Sequence, residues 1–292
     1  MPRAALAWAL FVTNAAAATA QTPPSPRPVP PPVQEPLEPD RPDVTNGTHI
    51  VDTGLLQLEF GGMYTRVAVG QRNLGSPVTA RLGLTEWLEA RVGLDGLLSQ
   101  VDADSRATGF GNVQLGAKLR LWADPGGIPV LSILPTVNLP TASVEKGLGS
   151  GDADYTIALL TGTDFLKRAH IDVNYGIGAI GTGGGQPHFV QHLVSASASV
   201  SAGEQWDPYA EVFWFSRQDV DGGAMTAIDL GAIYTINPRL ALDGGVQFGL
   251  SRAAPNLAVF GGVSIVLGDV LGEHGVHARQ RTAEKRARNK RH

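Results

Sequence analysis

Among the residues able to do chemistry are three Asp-x-Asp pairs: Asp102 and Asp104, Asp152 and Asp154, Asp219 and Asp221. Hard carboxylate oxygens so spaced bind calcium, or join the divalent ions that bridge lipopolysaccharide. None of the pairs has the ligand spacing of an EF-hand, and all fall in segments read as loops, where aspartate serves the turn itself. Gly176-Ile177-Gly178-Ala179-Ile180-Gly181 matches the G-x-G-x-x-G fingerprint. Dinucleotide binding also needs a following helix and an acidic residue some way on, and glycines inside a crowded strand explain the match instead. His49, His170, His188 and His192 raise a hydrolase, but no serine motif for a nucleophile accompanies them. The chain has no cysteine, so neither thiol chemistry nor disulfides enter. Catalytic residues, cofactors and a metal site are therefore not expected.

A larger charged set has a different logic. Glu59, Arg81, Glu89, Arg91, Asp95, Lys118, Arg120, Asp172, Glu211, Asp229 and Asp243 each stand one position from apolar neighbours in an alternating run. In 77–85, Val78, Ala80, Leu82 and Leu84 fall on one side, and Thr79, Arg81, Gly83 and Thr85 on the other. One side suits lipid and the other water, which is the signature of a transmembrane strand. Mixed charges on the wall of a wet lumen stay hydrated, so these eleven are the candidate lumen-lining residues.

The same alternation recurs in about twelve stretches: 56–69, 77–85, 88–94, 113–121, 131–139, 155–163, 170–180, 189–201, 209–215, 227–236, 240–250 and 257–267. The fold expected is all-β, a transmembrane antiparallel up-and-down β-barrel of about 12 strands, each long enough to cross hydrocarbon at a tilt. Connections near 86, 124, 166, 204 and 237 read as the shorter, periplasmic ones, and those near 73, 102, 146, 184, 220 and 253 as outer loops. Trp87, Trp122 and Trp206 fall at periplasmic strand ends with Phe165 beside them, and Trp214 near the outer rim, as interfacial aromatics do. Pro135 inside the fifth stretch costs a ladder bond unless a bulge absorbs it.

The mean hydropathy of -0.01 lies far below that of a helical membrane protein, and no long apolar run lies in the body of the chain. Residues 1–20 read as a secretory signal peptide, with Arg3, an apolar run and the small-residue site Ala18-Thr19-Ala20. Residues 21–53 are dense in proline, including Pro30-Pro31-Pro32, and read as an extended periplasmic linker. The barrel is expected over 54–267. Residues 268–292 carry seven Arg or Lys against three acidic residues and read as a basic, disordered tail facing solvent or anionic head groups.

Arg41-Pro42-Asp43 with Thr45 and Gly47, then Gly54, Gln57, Glu59 and Gly61, resembles the opening of the outer-membrane transporter family of the MetA pathway of phenol degradation. Gly109-Phe110-Gly111-Asn112 with Gly116 and Lys118, and Leu139-Pro140-Thr141 followed by Gly149-Ser150-Gly151, resemble it too. The resemblance implies an outer-membrane barrel that passes small, often aromatic, compounds. The reading is a passive pore in the outer membrane of a Gram-negative bacterium, with lipid, lipopolysaccharide and a small solute as partners and no nucleic acid. Two other readings stay open: a structural or partner-binding barrel without transport, and an outer-membrane hydrolase. On this register Leu82→Arg is costly if mid-membrane, and Arg81→Ala leaves folding largely intact while altering ion selectivity.

Overall fold

The computed structural model describes residues 37–42, 44–123, 129–166 and 168–272, and all that follows concerns these. The Asp124–Gly127 turn, the signal peptide and most of the basic tail lie outside them. Fifteen strand segments occur in chain order: β1 (Leu55–Ala68), β2 (Gln71–Gly75), β3 (Val78–Thr85), β4 (Leu88–Leu94), β5 (Leu97–Val101), β6 (Arg106–Phe110), β7 (Val113–Trp122), β8 (Val130–Leu139), β9 (Asp154–Leu166), β10 (Ala169–Ile180), β11 (Phe189–Val200), β12 (Trp206–Phe215), β13 (Met225–Asn237), β14 (Leu240–Gly249) and β15 (Leu257–Asp269). Each pairs antiparallel with its neighbours, and β15 returns to β1, closing the sheet. With no edge left open around the closed ring, every crossing backbone can be satisfied in lipid.

The barrel has twelve strands because three of them are interrupted. β1 pairs with β3 along its first half and with β2 along its second; β4 pairs with β3 while β5 pairs with β2, and β6 pairs with β5. The breaks align at Ser76-Pro77, Asp95-Gly96 and Gly111-Asn112. Gly96 is at φ 69°, and a Cβ there would lie 1.9 Å from the Ser76 carbonyl oxygen, so only glycine fits the close approach. Beyond the breaks β2, β5 and β6 continue outward as an extension of the same sheet, joined to it through the second half of β1. The connection expected near 73 is therefore strand, and β1 joins β2 through the two-residue turn Val69-Gly70.

Alternation places the side chains as expected. Val92, Leu115, Val173, Val194, Val212, Leu230, Leu242 and Val259 stay exposed on the outer face, while the residues between them turn inward. An apolar surface of that extent around a closed barrel belongs in hydrocarbon. Trp87, Trp122, Trp206 and Phe165 are each about half exposed at the strand ends joined by short turns. Pro135 is absorbed without a bulge. β7 and β8 keep one register on either side of it, from Gly116↔Thr136 to Leu119↔Ile133, and the pairs between are missing.

Candidate functional site

Residues 37–42 and 44–53, expected as the end of an extended linker, run inside the barrel as a strap. Its polar backbone would be costly to bury unpaired, and the inward side chains of the wall satisfy it. Val51 N donates to Glu89 (2.9 Å), Lys118 Nζ donates to the Gly47 and His49 carbonyls (2.8 and 3.2 Å), and Val44 and Thr45 N donate to Glu211 (3.0 and 2.5 Å). At the apex, Asn46 and Asn174 exchange two hydrogen bonds: Asn46 N to Asn174 Oδ1 (2.7 Å) and Asn174 Nδ2 to the Asn46 carbonyl (3.0 Å). These partners come from β4, β7, β10 and β12, so the strap is gripped from around the barrel.

The strongest grip is ionic. Arg81, fully buried, donates from Nε to Glu89 (2.8 Å) and from Nη1 to Glu59 (2.9 Å), and its Nη2 lies 3.5 Å from Asp40 of the strap. Lys118, also fully buried, reaches Asp40 at 2.6 Å, and Arg91 donates to the same oxygen. Burial works to raise the Asp40 pKa, but the Arg81, Lys118 and Arg91 charges overcome it and hold the carboxyl well below the usual carboxylate range. The next residue carries the opposite charge toward another wall: Arg41 Nη2 donates to Asp243 on β14 (3.3 Å) and to the Gly261 carbonyl (3.3 Å). Arg41 lies against two inward glycines. A Cβ on Gly61 would fall 2.0 Å from its guanidinium, and one on Gly262 would fall 2.7 Å from Nη2. Gly83 is likewise the seat of the strap's far end, where a Cβ would meet the Val51 and Asp52 carbonyls.

Ten of the eleven lumen-lining candidates fall on inward strand positions, and they sort into three groups. Glu59, Arg81, Glu89, Arg91 and Lys118 surround Asp40. Glu211, Asp229 and Asp243 form an acidic wall on β12, β13 and β14; Asp229 is buried beside Glu211, and its Oδ1 has no hydrogen-bond partner among the described residues. Arg120 and Asp172 face the inner end, where Asp172 lies 3.3 Å from His170 Nε2 and Asp164 lies 2.7 Å from Nδ1. Asp95 stands apart at the outer break, accepting from Asn112 N (2.9 Å) and Gln114 Nε2 (3.2 Å).

Cavities lie on either side of the strap in the lumen, an inner and an outer one among them. The inner one, about 1010 Å³, is bounded by strap residues 37–41, 45 and 47–49 with the inner ends of β7 to β13. The outer one, about 260 Å³, lies beyond Asn46 and is walled by β3, β4 and β7 to β12. The residues that sequence reasoning missed are those of the strap, above all Asp40, Arg41 and Asn46. Two signals pointed to them: the inward glycines Gly61, Gly83 and Gly262, and the resemblance motif that runs through Arg41, Thr45 and Gly47. The other motif segments meet at the outer break, where Val113 N donates to Thr141 Oγ1 (3.0 Å) and Ala142 N to Asn112 Oδ1 (2.9 Å).

A family model matches residues 39–267, from the strap to the last strand. The chain belongs to the family described as Putative MetA-pathway of phenol degradation. The match includes the strap, so in this family member strap and barrel are one unit. Its fold is similar to that of the COG4313 outer membrane channel from Pseudomonas putida F1, at 12% identity and a TM-score of 0.62, covering 79% of this chain and all of the other. It is also similar to the NanC porin, at 11% identity and a TM-score of 0.52, covering 71% of this chain and 98% of that one. No curated relative matches the chain. These likenesses agree with a transmembrane antiparallel barrel of the outer-membrane type.

Proposed function

We propose that this protein is an outer-membrane channel through which small solutes, aromatic compounds among them, pass by passive diffusion, and that it is not an enzyme. The observation that carries the reading is a polar lumen with an inner and an outer cavity on either side of a strap whose apex is held by neutral hydrogen bonds. Solute crossing then requires movement at the apex, where the Asn46–Asn174 bonds give way, while the ionic contacts of Asp40 and Arg41 and the flanking bonds to Glu211 and Lys118 keep the strap anchored. The family description and the channel fold support the same reading. The filled lumen favours one rival, a rigid barrel without transport.

Planar-bilayer recording with the purified mature protein separates the two. A channel gives small, discrete conductance steps, and proteoliposomes containing it swell in small-solute gradients. A barrel that stays at the lipid baseline in both assays, with and without a loosened strap, overturns the reading.

A further inference from the structure

The outer cavity has a lining whose chemistry is only partly used by the strap. Leu134, Leu193 and Phe215 give it an apolar side, while Gln114, Thr136 and Arg91 give it a polar one. Its volume of about 260 Å³ is ample for a single ring, since an apolar cavity of about 150 Å³ holds benzene in a protein interior. Arg91 is the single charged residue on its wall, and no carboxylate lines it. The contacts of Arg91 with Asp40 and Glu89 all run from Nη1, so Nη2 and Nε have no protein partner among the described residues. A guanidinium with donors to spare at the end of an apolar pocket suits a carboxylate, whose two oxygens match its planar fork.

We propose that this cavity is a binding site for a small apolar monocarboxylate of the size of benzoate, with the carboxylate on Arg91 and the body against Leu134, Leu193 and Phe215. A cation meets no opposite charge on this wall, and a neutral ring of the same size forgoes the charge-assisted hydrogen bond. The site rests on the channel reading and deepens it, giving passing solutes a resting place outside the strap.

The test is titration of the full mature protein in lipid nanodiscs with benzoate and with benzamide, its uncharged counterpart, alongside bilayer recordings. Benzoate binds saturably and more tightly than benzamide, and Arg91→Gln weakens it by about tenfold or more, the loss that follows removal of a charge-assisted hydrogen bond, while sparing benzamide. Because Arg91 also contacts Asp40, Thr136→Glu serves as a second variant that removes no ion pair and sets a carboxylate against the ligand; it too abolishes the preference for benzoate. Equal affinity for the two probes, or benzoate binding unchanged in both variants, overturns the site. Conductance without a benzoate preference sinks the site alone, and a benzoate preference without conductance sinks the channel reading and leaves the site standing.

Discussion

Asp40 and Arg41 are adjacent residues of opposite charge, and each meets the wall that complements it. Asp40 has three cations around it, so removing any of them leaves buried carboxylates uncompensated. Arg81 is the centre of that cluster, which changes the expectation drawn from sequence, where Arg81→Ala was to leave folding largely intact. With Arg81 fully buried between Glu59, Glu89 and Asp40, its replacement by alanine costs about 3–5 kcal/mol, as when one partner of a buried pair is lost. Urea unfolding in lipid vesicles, read by the heat-modifiable shift on a gel, measures it. The pH dependence follows from Asp40. Its folded pKa lies below the ordinary value near 3.8, so the stability it contributes is present above that value and lost as pH falls through the folded pKa. Midpoints of unfolding therefore show no Asp40-dependent change from pH 8 down to about pH 4 and fall below it, and Asp40→Asn removes that acid-side dependence.

At the level of strands, one face meets lipid and the other meets the strap, so substitutions divide by face and by depth. Leu230 lies on the outer face in the middle of β13, whereas Leu82 lies three residues from the inner end of β3. Leu230→Arg thus costs about 2–4 kcal/mol and Leu82→Arg less, because the penalty for a charge falls toward the interface. Unfolding free energies of the two variants in the same lipid check the order. The strands were legible in sequence because lipid outside and polar contacts inside impose a strict period of two, as at Leu82 beside Arg81. The extensions β2, β5 and β6 were not, because beyond the membrane neither face has to be apolar: Gln71, Arg72 and Asn73 follow one another without alternation. The charged wall was legible as residue types but not as a site. Glu59 and Lys118 announce an inward face, yet nothing local says that a segment dense in proline supplies their partner from inside. Gly83 shows the dependence from the other side, since a larger side chain there would meet the Val51 and Asp52 backbone. Gly83→Val accordingly leaves the barrel folded but raises protease access to the strap, measured by limited proteolysis of outer-membrane vesicles opened to the periplasmic side.

The described residues form a closed wall with the strap held inside it, and the two kinds of contact along the strap set how freely it moves. At 40–41 the strap is tied by buried ion pairs to β3, β4, β7 and β14. At 46 it is tied to β10 by two neutral hydrogen bonds, each worth about 0.5–1.5 kcal/mol net. The neighbouring bonds of Val44 and Thr45 to Glu211 and of Gly47 to Lys118 confine the opening to Asn46 itself, which breaks no ion pair and so is less costly than withdrawal of the strap. A resting channel that opens briefly and partially is the expected behaviour. Asn174→Ala removes the apex contacts without touching a charge, and it raises the open probability several-fold while leaving the unitary conductance close to that of the unaltered protein. Asp40→Ala combined with Arg41→Ala frees the anchored end, so the strap can leave the lumen and the unitary conductance itself rises. Single-channel recordings of the two variants side by side distinguish a change in frequency from a change in size. An Asn174→Ala channel that matched the double variant in amplitude would mean that the apex, and not the ionic seat, holds the strap in the barrel.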